Sequence, residues 1–170
     1  MNRISFLLLV CTLLFLISSC EKDDLCIPEE AATPRLIIIF TDRNNELIRK
    51  PVESLQVIER DSETPAPLNE MGAQTLTAVD SIAIPLRIES GTTQYFFQRT
   101  LNGTQNRDAI NFSYTVGEEY INRACGFKAI YTNLSAEQEA ETPPEQWIRV
   151  VNVRNPSVTS NQDIHVEIRH

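Results

Sequence analysis

A chain of 170 residues with 15 basic and 23 acidic side chains carries a formal net charge of −8. That is enough chain for one domain with a single core. No cluster of Lys and Arg stands out along it, which disfavours nucleic acid and adhesion to anionic lipid. Four cysteines and two histidines form no close-spaced set of zinc ligands, and nothing in the sequence implies a cofactor or a metal.

The chain opens as an export signal. Asn2-Arg3 is a short positive start, and Ile4 to Ile17 is apolar except for Ser5, Cys11 and Thr12. The run is shorter than the roughly 20 apolar residues that a spanning helix needs, so cleavage is the better reading. Ile17-Ser18-Ser19-Cys20 resembles a lipobox, the motif of bacterial lipoproteins. The resemblance implies that Cys20 becomes a triacylated N-terminus, an anchor that two or more acyl chains make firm. An ordinary secreted protein with an incidental cysteine is the alternative. Glu21-Lys22-Asp23-Asp24 resembles the Lys-plus-acidic tract that directs lipoproteins of Bacteroidota to the cell surface. A plain polar spacer and a periplasm-facing position are the alternatives. The expected layout is a signal over 1–19, a lipidated linker over 20–33 and one β domain over 34–170.

With Cys11 in the signal and Cys20 on lipid, Cys26 and Cys125 remain. In an oxidising compartment two thiols are read as one disulfide, against the alternative of two free buried cysteines.

Pro34 to Phe40 holds a β-branched run that predicts a strand buried on both faces, followed by a turn at Asp42 to Asn45. Leu55 to Glu59 is a second strand. Asp61 to Gly72, with Pro65 and Pro67, is a loop. Ile82, Ile84, Leu86 and Ile88 alternate with other residues, and Pro85 places that strand at an edge. After Gly91-Thr92, Gln94 to Arg99 is a strand with Tyr95 and Phe97 on one side and Phe96 on the other. Asn102-Gly103 is a turn. Ile110, Phe112, Tyr114 and Val116 form the cleanest alternation in the chain, ended by a turn at Gly117-Glu118. Tyr120 to Thr132 is extended, with Gly126 marking a bulge or a close backbone approach. Ser135 to Gln146 is mostly loop, with room for one helical turn at Ala136 to Ala140. Trp147 to Val153 is a strand. Ile164, Val166 and Ile168 make the last one, which puts His165 on its polar, solvent-facing side. Eight or so short strands without a long helix predict an all-β sandwich with immunoglobulin-like layering; a β-barrel is the alternative.

Thr33-Pro34-Arg35-Leu36-Ile37-Ile38 and Arg123-Ala124-Cys125-Gly126-Phe127, with Cys20, Cys26 and Ser81 to Leu86, resemble a family of Bacteroidota outer-membrane lipoproteins of unknown function. The resemblance implies a lipid anchor and a small β domain, supports pairing of Cys26 with Cys125, and carries no chemistry. Asp80-Ser81-Ile82 resembles the acceptor for O-glycosylation in the same lineage, with Ser81 as the attachment point.

A catalytic set is missing from the sequence. No Gly-x-Ser-x-Gly turn supports a nucleophile, and the adjacent carboxylates at Glu29-Glu30 and Glu118-Glu119 do not suggest a hydrolytic pair across a cleft. Phe96 and Trp147 are the candidate ligand-contact aromatics. The expectation is a non-catalytic, lipid-anchored protein of the outer membrane that binds or assembles with an envelope protein; a surface glycan-binding module is the alternative, and a hydrolase stands third.

Overall fold

A computed structural model describes residues 25–140 and 146–170. The chain divides into two compact units. One comprises Thr33–Glu119 with Ala129–His170; the other comprises Tyr120–Lys128 with the N-terminal segment through Ala32.

The larger unit is a β-sandwich. Its strands are β1 (Leu36–Thr41), β2 (Val52–Glu59), β3 (Thr64–Pro65), β4 (Leu76–Val79), β5 (Ser81–Ile84), β6 (Thr92–Leu101), β7 (Thr104–Asn122), β8 (Gly126–Gln138), β9 (Val150–Val153) and β10 (Val166–Arg169). Four strands form one sheet in the order β5-β1-β10-β9. The other sheet runs β3-β2-β6-β7-β8, with β4 also on β2. The ladders make two open sheets and do not close into a barrel.

The isoleucine run becomes β1 because it is flanked on both sides. It pairs antiparallel with β5 and parallel with β10. Leu36, Ile38 and Phe40 enter the core with no exposed surface. β5 is an edge strand and stops before Pro85, as a residue without an N–H requires. Asn102 and Gly103 both have positive φ, 51° and 79°, the combination a tight hairpin needs between twisted strands; Leu101 pairs with Thr104 across it.

Where β5 ends, three successive carbonyls lose their ladder partners. Three tyrosine hydroxyls take them: Tyr95 donates to Pro85 (2.7 Å), Tyr131 to Leu86 (3.1 Å) and Tyr114 to Arg87 (2.8 Å). Burial raises the pKa of all three phenols, that of Tyr131 to about 12, so they remain donors. Tyr131→Phe keeps the ring and strands the buried Leu86 carbonyl. The expected loss is about 1–3 kcal/mol, read as a lower urea midpoint at unchanged slope.

Several expectations fail where a local pattern was read without its neighbours. Gly117-Glu118 is not a turn; β7 runs through it to Asn122. The hairpin turns at Arg123–Cys125, where Asn122 Oδ1 accepts from the amides of Ala124 (2.9 Å) and Cys125 (2.7 Å). Gly126 is neither a bulge nor a close approach. It has φ of +73° and open space where a Cβ would sit, so it serves the turn by its backbone conformation. Ala136 to Gln138 continue β8 rather than coil into a helical turn. The segment expected to be loop before Gly72 carries β3, and β4 follows it unforeseen. The strand expected from Trp147 begins only at Val150.

The smaller unit holds one helical turn, α1 (Pro28–Ala31), and the tip of the β7–β8 hairpin. Cys26 and Cys125 are disulfide-bonded, with Cα atoms 4.9 Å apart. The free-thiol alternative is thereby set aside.

Candidate functional site

The site begins with a buried carboxylate. Asp108 on β7 has no exposed surface and accepts from the backbone N–H of Ile148 (2.7 Å) and of Trp147 (3.4 Å). Burial raises its pKa, and those amides, with the charges of Arg99 and Arg149, oppose the rise. The two bonds hold residues 146–149 against the sandwich and turn the indole inward. Trp147 is 3% exposed, and its Nε1 donates to the Phe97 carbonyl at 3.0 Å. It is therefore a core residue, one of the two placements open to it, and its ring also forms part of the wall of the cavity described next. Strand alternation could not place it, because it lies outside a strand and a side chain from β7 sets its orientation.

Beside Trp147 lies a cavity of about 320 Å³. Four cations from three segments line it: Arg43 and Lys50 in the β1–β2 connection, Arg99 on β6 and Arg149 before β9. Asp42 is the single side-chain carboxylate among the described residues of the lining, so their side chains sum to a formal 4 − 1 = +3, in a protein whose total is −8. Asp42 Oδ2 lies 3.5 Å from Lys50 Nζ. Among the described residues no ion pair neutralises Arg43, Arg99 or Arg149.

The wall is built from aromatic rings and backbone. Lys50 Nζ donates to the His170 main-chain oxygen at 2.7 Å, and His170 Nε2 lies 3.1 Å from the Lys50 carbonyl. The His170 ring meets Phe40 and Trp147 edge-on, with centroids 6.2 and 5.5 Å away. The Arg99 guanidinium sits 5.2 Å over the Trp147 ring, a cation–π contact that fixes its plane. Burial lowers the pKa of Arg99, with Asp108 the foremost compensating charge. An arginine so placed is poorly screened, and its planar fork matches carboxylate and phosphate oxygens. The lining contains no hydroxyl or thiol among the described residues. What it can do is hold an anionic group. Scattered along the chain, these cations give no sequence signal; only the assembled ends of the strands bring them together.

The other sequence-predicted residues are dispersed. Phe96 faces away from Tyr95 and Phe97, as alternation predicted. It lies half-buried beneath the guanidiniums of Arg60 (5.5 Å) and Arg107 (5.8 Å), which are paired with Glu139 and Glu63. Ser81 is exposed at the start of β5. Cys20 and the tract Glu21, Lys22, Asp23, Asp24 lie outside the described residues. Among the described residues no three His, Cys, Asp or Glu side chains group as a metal set, and no helix is long and apolar enough to cross a membrane.

His165 corrects the solvent-facing reading. It has no exposed surface, and its Nδ1 accepts from the Ile37 amide at 3.0 Å, which puts the proton of the neutral ring on Nε2. Its neighbour Glu167 is equally buried, bonded to Thr41 Oγ1 at 2.8 Å and to Arg154 at 2.7 Å. The outer face of β10 is polar but covered. Arg154 and Arg169 reach across it, and Glu46 pairs with both.

Burial lowers the pKa of His165, against the opposing charge of Asp163, and also that of His170. As pH falls below about 6.5, the unfolded chain takes up these protons before the folded one does. Stability is thus present above that pH and lost below it. The urea midpoint is expected to be lower at pH 5 than at pH 7, and His165→Gln is expected to flatten that dependence.

Neither a curated protein nor a solved structure matches the chain. A family model described as a family of unknown function (DUF6452) matches residues 56–170. The match takes in the whole cavity except Asp42, Arg43, Asn44 and Lys50, and includes Cys125 but not Cys26. With a two-sheet sandwich over most of its length and that model covering more than half of it, the chain belongs to this DUF6452 family of unknown function.

Proposed function

We propose that the protein is a non-catalytic, lipid-anchored component of the outer membrane that binds an anionic group of another envelope component in the cavity beside Trp147. The observation that carries the binding role is the local excess of cations, +3 over the described side chains of the lining, with no ion pair to Arg43, Arg99 or Arg149 among the described residues. The anchor rests on the lipobox resemblance at Cys20, and surface display rests on the tract Glu21 to Asp24. Ser81, exposed at its strand start, suits the O-glycosylation that Asp80-Ser81-Ile82 suggests.

A glycan-binding role is the second reading, and the cavity narrows it to acidic glycans. Isothermal titration of the protein with sulfate, phosphate, glucuronate and acidic and neutral oligosaccharides tests both. Saturable binding of an anionic member, lost in the double variant Arg99→Gln/Arg149→Gln, is expected. Equal affinity in the double variant, or binding of neutral sugars alone, would overturn the assignment. Metabolic labelling with a fatty acid, lost in Cys20→Ala, tests the anchor.

A further inference from the structure

The disulfide-joined unit carries apolar side chains that its described residues leave exposed. Leu25 is 76% exposed, Ile27 48%, Tyr120 55% and Phe127 64%. Leu25 and Ile27 flank Cys26. Tyr120 and Phe127 stand on the two arms of the hairpin whose turn holds Cys125, and the Cys26–Cys125 bond joins the two segments. The two rings meet edge to face with centroids 5.2 Å apart. Eleven large apolar side chains are exposed among the described residues. Four of them, including both aromatics, fall in the short segments 25–32 and 120–128.

Chain length identifies what this face meets. Only Glu21 to Leu25 separate Cys20 from Cys26. At about 3.3–3.6 Å per residue, the disulfide lies within roughly 20 Å of an acylated Cys20. A tether that short keeps Leu25, Ile27 and the hairpin tip beside the bilayer surface. Tyrosine with a partner ring is the chemistry of the headgroup boundary, where an apolar body is buried and a hydroxyl stays wet. We propose that the Leu25–Ile27–Tyr120–Phe127 face docks on the bilayer that holds the anchor, entering the headgroup–acyl boundary. This rests on the lipidation of Cys20 proposed above.

The charges make the docking apolar rather than electrostatic. Glu29 and Glu30 balance Arg123 and Lys128 in the described part of the unit, and the tract between anchor and disulfide is acidic. Anionic lipid is therefore not needed, and salt has little effect.

The test uses the full acylated protein, extracted from cells with its disulfide intact. It is reconstituted into phosphatidylethanolamine–phosphatidylcholine vesicles with brominated acyl chains. Phe127→Trp supplies the reporter, and Trp147, 3% exposed in the core, is the unquenched reference in the parent. Bromine near the headgroup is expected to quench the residue 127 emission. Adding Ile27→Ser and Tyr120→Ser should restore it, and high salt should leave it unchanged. Unquenched emission from protein that floats with the vesicles would overturn the docking and leave the anchor standing. Protein that fails to float would overturn the anchor, and the docking with it. A blue shift that grows with protein concentration in detergent, without quenching in vesicles, would mean that a second copy covers the face, and would also overturn the proposal.

Discussion

Trp147→Ala is expected to destabilise the sandwich by about 3–5 kcal/mol, the range for deleting a large buried aromatic. Three losses combine. The indole leaves a cavity against Phe40 and His170. The Phe97 carbonyl loses its donor. The Arg99 guanidinium loses the ring it lies over. Trp147→Phe separates these effects. It refills most of the volume and keeps a π face for Arg99, yet cannot donate to Phe97, so it should cost about 1–3 kcal/mol. Urea unfolding followed by far-UV circular dichroism checks both. A Trp147→Ala protein with an unchanged midpoint would show that the residue sits at the rim, as a ligand-contact aromatic would. Because the substitution also disturbs Arg99, lost anion binding in this variant would say nothing about direct contact; the arginine variants carry that question.

Breaking the disulfide by Cys26→Ser/Cys125→Ser should lower stability by up to about 4–5 kcal/mol, the chain-entropy value for a closed loop of this size. The sequence separation is 99 residues. That figure is a ceiling, because the cut also frees the segment before Ala32 in the folded state, and whatever freedom it gains there offsets part of the loss. The expected signature is a lower urea midpoint together with faster amide exchange in Tyr120–Lys128 than in the strands of the sandwich. Equal protection in both proteins would mean that the hairpin tip is ordered without the bond. Released from Cys125, the chain between Cys20 and the start of β1 spans about 50 Å at full extension, so under the proposed lipidation of Cys20 this variant has the longer tether.

How far a residue could be placed from sequence depended on whether its environment was local. β1, β6 and the first half of β7 carry alternation or an apolar run strong enough to set both strand and facing, and Tyr95, Phe97, Ile110 and Phe112 point into the core as that pattern requires. Pro85 marked an edge because it lacks a donor. Asn102-Gly103 marked a hairpin because both residues tolerate positive φ. Gly117-Glu118 looked the same by composition, but Gly117 sits within the β7 ladder, and the turn falls instead where Asn122 can cap two amides and Gly126 can take positive φ.

The cysteine count and the opening apolar run led, by themselves, to the expectation that Cys26 pairs with Cys125 and that an anchor lies six residues earlier; free thiols stayed open until the bond itself was seen. The strand pattern led to the all-β class and the sandwich, with a barrel left open until the two sheets were seen. Only the tertiary structure decided which polar face is wet. Period-two alternation says that His165 and Glu167 oppose Val166 and Ile168, but the burial of Glu167 depends on its pairs with Arg154 from beyond the strand and with Arg169 of the same strand, both joined to Glu46. Only the tertiary structure, too, gathered Arg43, Lys50, Arg99 and Arg149 around one cavity. Their charges are isolated along an acidic chain, and a Coulomb field depends on distance in space, which strand pairing sets and spacing in sequence does not.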